Sequence, residues 1–287
     1  MKKKLIKGTL YLLGAIVLGL IVVNTDWREV FVHISSISPN VIALLLLFQC
    51  ITIILLALQW KSVALRVKKD VSFIDVLMVN AKGSVVDAIT PGVKTGGELA
   101  RVYELRKRLK IEFGNATIIV GLQKSLSLLA FLFLTLSSLI WFSFTISSKY
   151  RHYLYVFSIV IAIFSVLLAL LILFSLKPDR MLRLLNRLLG RYEFMHKIDK
   201  ILRDYSSIIR SLLKDKKRFF PQILLAIFIW MFYAFKLMLV MKGFAIEMDY
   251  LSIAAITFLS YIMGMIPILP GSIGSFEGAM LALLATR

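Results

Sequence analysis

The chain has 287 residues, 59% of them hydrophobic, with mean hydropathy +0.85 and formal net charge +19. A soluble domain of this length cannot hide so much apolar surface, so lipid is the solvent for much of it. The apolar runs are continuous rather than alternating, which excludes a β-barrel and leaves an all-α, polytopic membrane protein as one integral domain over 1–287. The basic residues gather in short stretches between apolar runs without any RNA-binding motif, a pattern of membrane topology and lipid attraction rather than of nucleic-acid binding.

In chain order, the first apolar run is Leu5–Val23, behind Lys2, Lys3 and Lys4. It resembles a signal peptide, but Asn24-Thr25-Asp26-Trp27 carries no small-residue cleavage pattern, so an uncleaved span with a cytoplasmic N-terminus is expected. Further spans are predicted near Val41–Leu58, Ala116–Ile146, Tyr153–Leu176 and Phe220–Met241. Cys50 is the single cysteine and reads as inert filling within its apolar run.

Two segments, about Val71–Thr90 and Tyr250–Leu269, are only moderately apolar and run into proline and glycine. The basic stretches Lys61–Lys69 and Arg101–Lys110 both belong in the cytoplasm by the positive-inside rule. The segment between them must therefore leave and return on one side, and Val71–Lys94 is read as a hairpin dipping in from the cytoplasm. By the same count Ser147–His152 lies outside, Lys177–Arg218 inside and Lys242–Asp249 outside. The second broken segment then dips in from the external face. Asp75, Asn80, Lys82 and Asp87 make the first of these unusually polar and fall on no single helical stripe, so a water-filled cavity is expected beside it.

Lys177–Arg218 holds 13 Lys/Arg against 5 Asp/Glu. Its apolar residues, among them Tyr205, Ile208, Ile209 and Leu212, recur at helical spacing. An amphipathic pair of helices broken near Gly190 is predicted, lying on the cytoplasmic leaflet or against the bundle. Anionic-lipid binding and a plain positive-inside loop are both open readings of its charge.

The two broken segments share a plan. One reads Thr90-Pro91-Gly92-Val93-Lys94-Thr95-Gly96-Gly97-Glu98, the other Leu269-Pro270-Gly271-Ser272-Ile273-Gly274-Ser275-Phe276-Glu277. Each places a glutamate seven residues after its proline. Opposite entry sides fit an inverted-topology repeat, and a broken backbone at membrane depth is tolerated only inside protein or along a wet cavity. Proline stops one half-helix, glycine lets the chain turn and approach a ligand, and the restarted helix aims a positive dipole end at the break. Glu98 and Glu277 read either as ordinary helix-start residues or as partners of a cation or substrate amine.

Lys124 lies about ten residues into its span, roughly 15 Å deep at the helical rise and near the middle of a ~30 Å core. Such a group is a functional candidate, with Glu98, Glu277 or a lipid phosphate as its partner; a purely structural pair with a glutamate is the alternative. Arg101 sits one turn beyond Glu98, so both can face one cleft. Lys236 is less compelling, being nearer the outer end of its span. The three histidines lack metal-ligand spacing with one another or with Cys50. No Walker A loop, dinucleotide fingerprint or Gly-x-Ser-x-Gly elbow is present, so no cofactor is implied and ATP coupling within the chain is not expected.

At Thr90-Pro91…Gly96-Gly97-Glu98…Arg101 and Pro267…Pro270-Gly271…Gly274…Glu277 the chain resembles the flippase-like membrane proteins related to the transmembrane region of lysylphosphatidylglycerol synthetase/flippase. The resemblance covers essentially the whole chain, and it departs at Ser272, where glycine is common, and at Gln123-Lys124, where Glu-Arg is frequent. It implies movement of a polar lipid between leaflets of the bacterial cell membrane. In the best-known relatives that lipid is lysylphosphatidylglycerol, linked to resistance to cationic antimicrobial peptides. Those relatives attach a large soluble lysyl-transferring domain that is not seen in this sequence. A phosphatidylglycerol lysyltransferase activity is therefore not expected here, and a closing helix beyond Arg287 or a shortened chain is. The expected binding set is Pro91, Gly92, Gly96, Gly97, Glu98, Arg101, Lys124, Pro270, Gly271, Gly274 and Glu277, with membrane phospholipids as partners. Two other readings remain: an enzyme subunit working with a separate lipid-modifying enzyme, and a non-transporting assembly protein.

Overall fold

The computed structural model describes residues 26–89, 95–176, 194–265 and 274–286, with the single positions Val23 and Asp179. The predicted first span, Pro91, Gly92, Pro267, Pro270, Gly271 and most of the first half of the predicted amphipathic pair lie outside the described residues. Ten α-helices are described: α1 (Trp27–Ser35), α2 (Pro39–Ala64), α3 (Phe73–Ile89), α4 (Thr95–Leu109), α5 (Phe113–Thr145), α6 (His152–Leu176), α7 (Phe194–Lys214), α8 (Lys216–Gly243), α9 (Tyr250–Gly264) and α10 (Ser275–Leu284). No strand occurs among the described residues.

Among the described residues four helices are long and apolar enough to cross a membrane, within α2, α5, α6 and α8, and each matches a span expected from hydropathy. Their outward side chains, such as Leu46, Phe133, Ile159 and Phe228, remain exposed because no water-excluding partner is needed where lipid is the solvent. Helix α5 is the hub. Half of its apolar window is buried, far more than in the other three, and α2, α4, α6, α7, α8 and α9 all pack on it.

Two cores form along α5. The first joins its N-terminal half (Ile118, Ile119, Leu122) to Trp60 of α2, Val76 of α3, Leu105 of α4 and Ile209 of α7. The second joins Phe131 and Phe142 to Phe157 of α6, Phe258 and Ile262 of α9 and Leu283 of α10. Lys124 falls on the stretch of α5 where one core gives way to the other.

The first broken segment is a helical hairpin longer than the sequence reading proposed. Its return limb is α4, so Arg101–Lys110, which the sequence reading left beyond the hairpin, is mostly helix within it. The limbs run antiparallel, as three ion pairs show: Asp87 to Arg101, Lys82 to Glu104 and Asp75 to Arg108. Arg101 and Arg108 of α4 are thereby matched by carboxylates across the hairpin, while Arg106 and Lys107 stay exposed. A cavity does lie beside the segment, but the polar residues Asp75, Asn80, Lys82 and Asp87 do not share it. Asp75 and Lys82 face α4, Asn80 is buried, and Asp87 alone of the four lines the cavity described below.

The described helix of the basic stretch, α7, lies against the bundle. Its apolar face, with Tyr205, Ile209 and Leu212 buried, completes the first core. Gly114 and Gly121 of α5 let it close: a Cβ on either would come within 3.2 Å of Ile201 or Tyr205. The Tyr205 hydroxyl lies 2.9 Å from Ser125 Oγ.

Candidate functional site: a charge-balanced cavity

The N-terminus of α4 is built around Gly97. Its N–H donates to Asp87 Oδ1 at 3.0 Å, and a Cβ on Gly97 would lie 2.1 Å from that oxygen. Across the hairpin Gly83 does the same for Arg101, whose Cγ would be 2.5 Å from a Cβ there. Each limb thus gives up a side chain to admit the other's charge. Gly96 precedes this contact in the first turn of α4.

Arg101 is 8% exposed. Its Nη1 lies 3.0 Å from Asp87 Oδ2 and 3.6 Å from Glu98 Oε2, its Nη2 donates to Ser84 Oγ at 3.4 Å, and its guanidinium lies 5.8 Å from the Trp60 ring centre. Lys124 Nζ donates to the other Glu98 oxygen at 3.1 Å. The result is a chain of alternating charge, Lys124–Glu98–Arg101–Asp87, of formal sum zero. Two polar atoms within it have no hydrogen-bond partner among the described residues, Glu98 Oε2 and Arg101 Nε. Unmet capacity of this kind in a buried network is costly and marks a place where a ligand can bind.

This chain of charges lines a cavity of about 340 Å³ at the boundary between the two cores. Its opposite wall is apolar and aromatic, with Leu128 of α5, Ile229, Trp230 and Tyr233 of α8, and Met265 after α9. Trp230 is held by Nε1–H donation to the Ser127 carbonyl at 3.2 Å, and it contacts Tyr261, which contacts Phe276 of α10. The second broken motif therefore supports the wall through Phe276.

Of the expected set, the structure brings together Gly97, Glu98, Arg101 and Lys124, and leaves Gly274 and Glu277 off the cavity lining. Gly274 has φ 85°, a left-handed conformation that glycine adopts without strain, and Glu277 Oε2 accepts its N–H at 2.7 Å. Glu277 is a helix-capping residue. The shared spacing from proline hides a shift: Glu98 is the fourth residue of α4 and Glu277 the third of α10. That residue turns one carboxylate to Lys124 and the other back on its own helix start. Glu277→Ala is expected to lower stability by about 1 kcal/mol, read as a small fall in unfolding midpoint, with Glu277→Gln retaining most of it.

Glu104, Ser84, Gly83 and Trp230 were not singled out from the sequence. Glu104 ties Lys82 to Arg108, accepting from both at 3.0–3.1 Å. A signal existed in the antiparallel charge pattern of α3 and α4, but reading it requires knowing that they pair.

The family described as the lysylphosphatidylglycerol synthase TM region matches residues 8–286. The chain belongs to this family. Similar proteins include a UPF0104 membrane protein of Methanothermobacter thermautotrophicus, 24% identical over 95% of this chain and 83% of the relative. Others of the same description come from Methanocaldococcus jannaschii, at 22% over 98% of this chain and 85% of the relative, and from Pyrococcus horikoshii, at 23% over 84% and 76%. No solved structure matches. Membership, with several membrane-length helices, makes the chain a multi-pass membrane protein.

Proposed function

We propose that this family member moves a polar phospholipid headgroup between leaflets of the cell membrane, with the cavity between the two cores as the headgroup site. The observation that carries this reading is the balanced chain Lys124–Glu98–Arg101–Asp87 with a spare acceptor at Glu98 and a spare donor at Arg101. A headgroup bearing both phosphate and amine can exchange with it pair for pair. Phosphate oxygens take Lys124 Nζ and Arg101 Nε, the amine takes Glu98, and no charge is left unmatched at any stage. The aromatic wall accommodates the glycerol backbone while the acyl chains stay in the bilayer. On this reading α3–α4 and α9–α10 are re-entrant hairpins that enter from opposite faces, and the N-terminus is cytoplasmic.

The test is phosphatidylethanolamine labelled on an acyl chain, so that its amine stays free, in reconstituted vesicles, followed by quenching of the label in the outer leaflet. Lys124→Met is expected to slow its movement at least about 10-fold, the equivalent of about 1.4 kcal/mol. Movement at the wild-type rate would remove Lys124 from the site. Chemical turnover of lipid without movement would replace transport by an enzymatic role.

A further inference from the structure

Lys236 of α8 holds a second, unneutralised positive charge within a membrane-length helix. Its Nζ donates to Gln49 Oε1 at 2.7 Å and Thr52 Oγ1 at 3.4 Å on α2, and lies 4.4 Å from the centre of the Tyr233 ring. All three partners are neutral. Of the 16 Asp and Glu in the chain only Glu193 falls outside the described residues, next to the start of α7, and none of the described ones forms an ion pair with Lys236. By contrast Lys124, Lys82, Arg101 and Arg108 each have a carboxylate.

A lysine near a span end ordinarily turns its ammonium outward to the headgroup layer. Lys236 turns the other way. Gly243 of α8 sits beside Val41 of α2, and Phe235 meets Phe48 edge-to-face, so the helices run antiparallel and Lys236 is level with about Leu47. Gln49 and Thr52 lie farther from that end of the helix pair, so the ammonium reaches toward the middle of the span, as a side chain leaning to its own helix N-terminus does. There Thr52 is one turn, about 6 Å, from Leu56, which lines the cavity. Tyr233 belongs to both places, with its ring against Lys236 and on the cavity wall. Gln49, on the far side, is exposed at the outer face of the α2–α8 contact.

We propose that Lys236 is a second binding station for a lipid phosphate, placed one helical turn beyond the cavity and separated from it by the Tyr233 ring. This rests on the headgroup-transport reading above. A phosphodiester leaving Lys124 and Arg101 meets an ammonium with a third N–H that no described oxygen accepts, and the Gln49 amide supplies a further donor. The site is anion-selective because no carboxylate competes for the cation, whereas the cavity is balanced. The phosphate thus passes from a paired site to an unpaired one as it nears the opposite leaflet.

The experiment uses the full chain in vesicles of phosphatidylethanolamine and phosphatidylglycerol, with Lys236→Met and Lys236→Arg. Methionine removes the charge and keeps the length. It is chosen because loss of an unpaired cation from a lipid-phase helix is not expected to impair folding, which the unfolding midpoint checks. Two readouts are taken: movement of labelled lipid, and the number of phosphatidylglycerol molecules retained per protein in native mass spectrometry. Lys236→Met is expected to retain one phosphatidylglycerol fewer than wild type and to move lipid at least about 10-fold more slowly, with Lys236→Arg recovering both. Unchanged retention in Lys236→Met overturns the station, even if transport slows. Lost retention in a protein whose wild type moves no lipid leaves the phosphate site standing and overturns the transport reading instead.

Discussion

Arg101→Met is expected to destabilise the protein by about 3–5 kcal/mol, the range found when one partner of a buried ion pair is removed. Among the described residues Arg101 is the only cation paired with Asp87, and it shares Glu98 with Lys124. Without it, two largely buried carboxylates, 11% and 22% exposed, face a single lysine, and the space Gly83 keeps open is filled by a side chain that satisfies neither. The loss comes from the stranded charge rather than from a favourable pair. Arg101→Met combined with Asp87→Asn should therefore recover much of it, since asparagine still offers an oxygen to the Gly97 N–H. Unfolding midpoints of the two single variants and the double variant decide the matter. A double variant no better than Arg101→Met would show that packing, not charge, holds the hairpin.

Gly97→Ala is the second large effect, at about 2–5 kcal/mol from overpacking together with a lost hydrogen bond to a charged group. The added methyl would sit 2.1 Å from Asp87 Oδ1, and that carboxylate cannot retreat without releasing both the Gly97 N–H and Arg101. Gly278→Ala provides the contrast. No atom lies within 4 Å of a Cβ there, so alanine in α10 is expected to raise stability by up to about 1 kcal/mol through helix propensity. Opposite shifts in the unfolding midpoints of these two glycine variants check the reading. A neutral Gly97→Ala would mean that the hairpin tip opens without cost.

The spans of α2, α5, α6 and α8 were legible because hydrocarbon imposes a local rule: each residue of a spanning run must itself be tolerated by lipid. Lys124 was legible for the same reason, as an exception to that rule whose depth follows from counting residues. Glu98 and Arg101 could be placed on one face of one helix by their spacing. The hairpin could not be measured in the same way. Its return limb α4 is polar enough to be left outside a hairpin, and the pairing of Asp75, Lys82 and Asp87 with its residues is what joins the two limbs. Lys236 was discounted because depth alone was counted, and the direction of its side chain depends on α2.

By itself the sequence determined that this is a helical membrane protein, where four of its spans run, and that charge and broken backbone concentrate around Pro91–Arg101 and Lys124. These are properties of single segments in a known solvent. The tertiary structure alone decided that Glu98 meets Lys124 while Glu277 caps its own helix, although both follow their prolines by the same interval. It also supplied the aromatic wall and the unpaired state of Lys236. The physical reason is that ion pairs and cavity walls are made by residues dozens to hundreds of positions apart, and a one-residue shift in where a helix starts re-aims a carboxylate that no local pattern distinguishes.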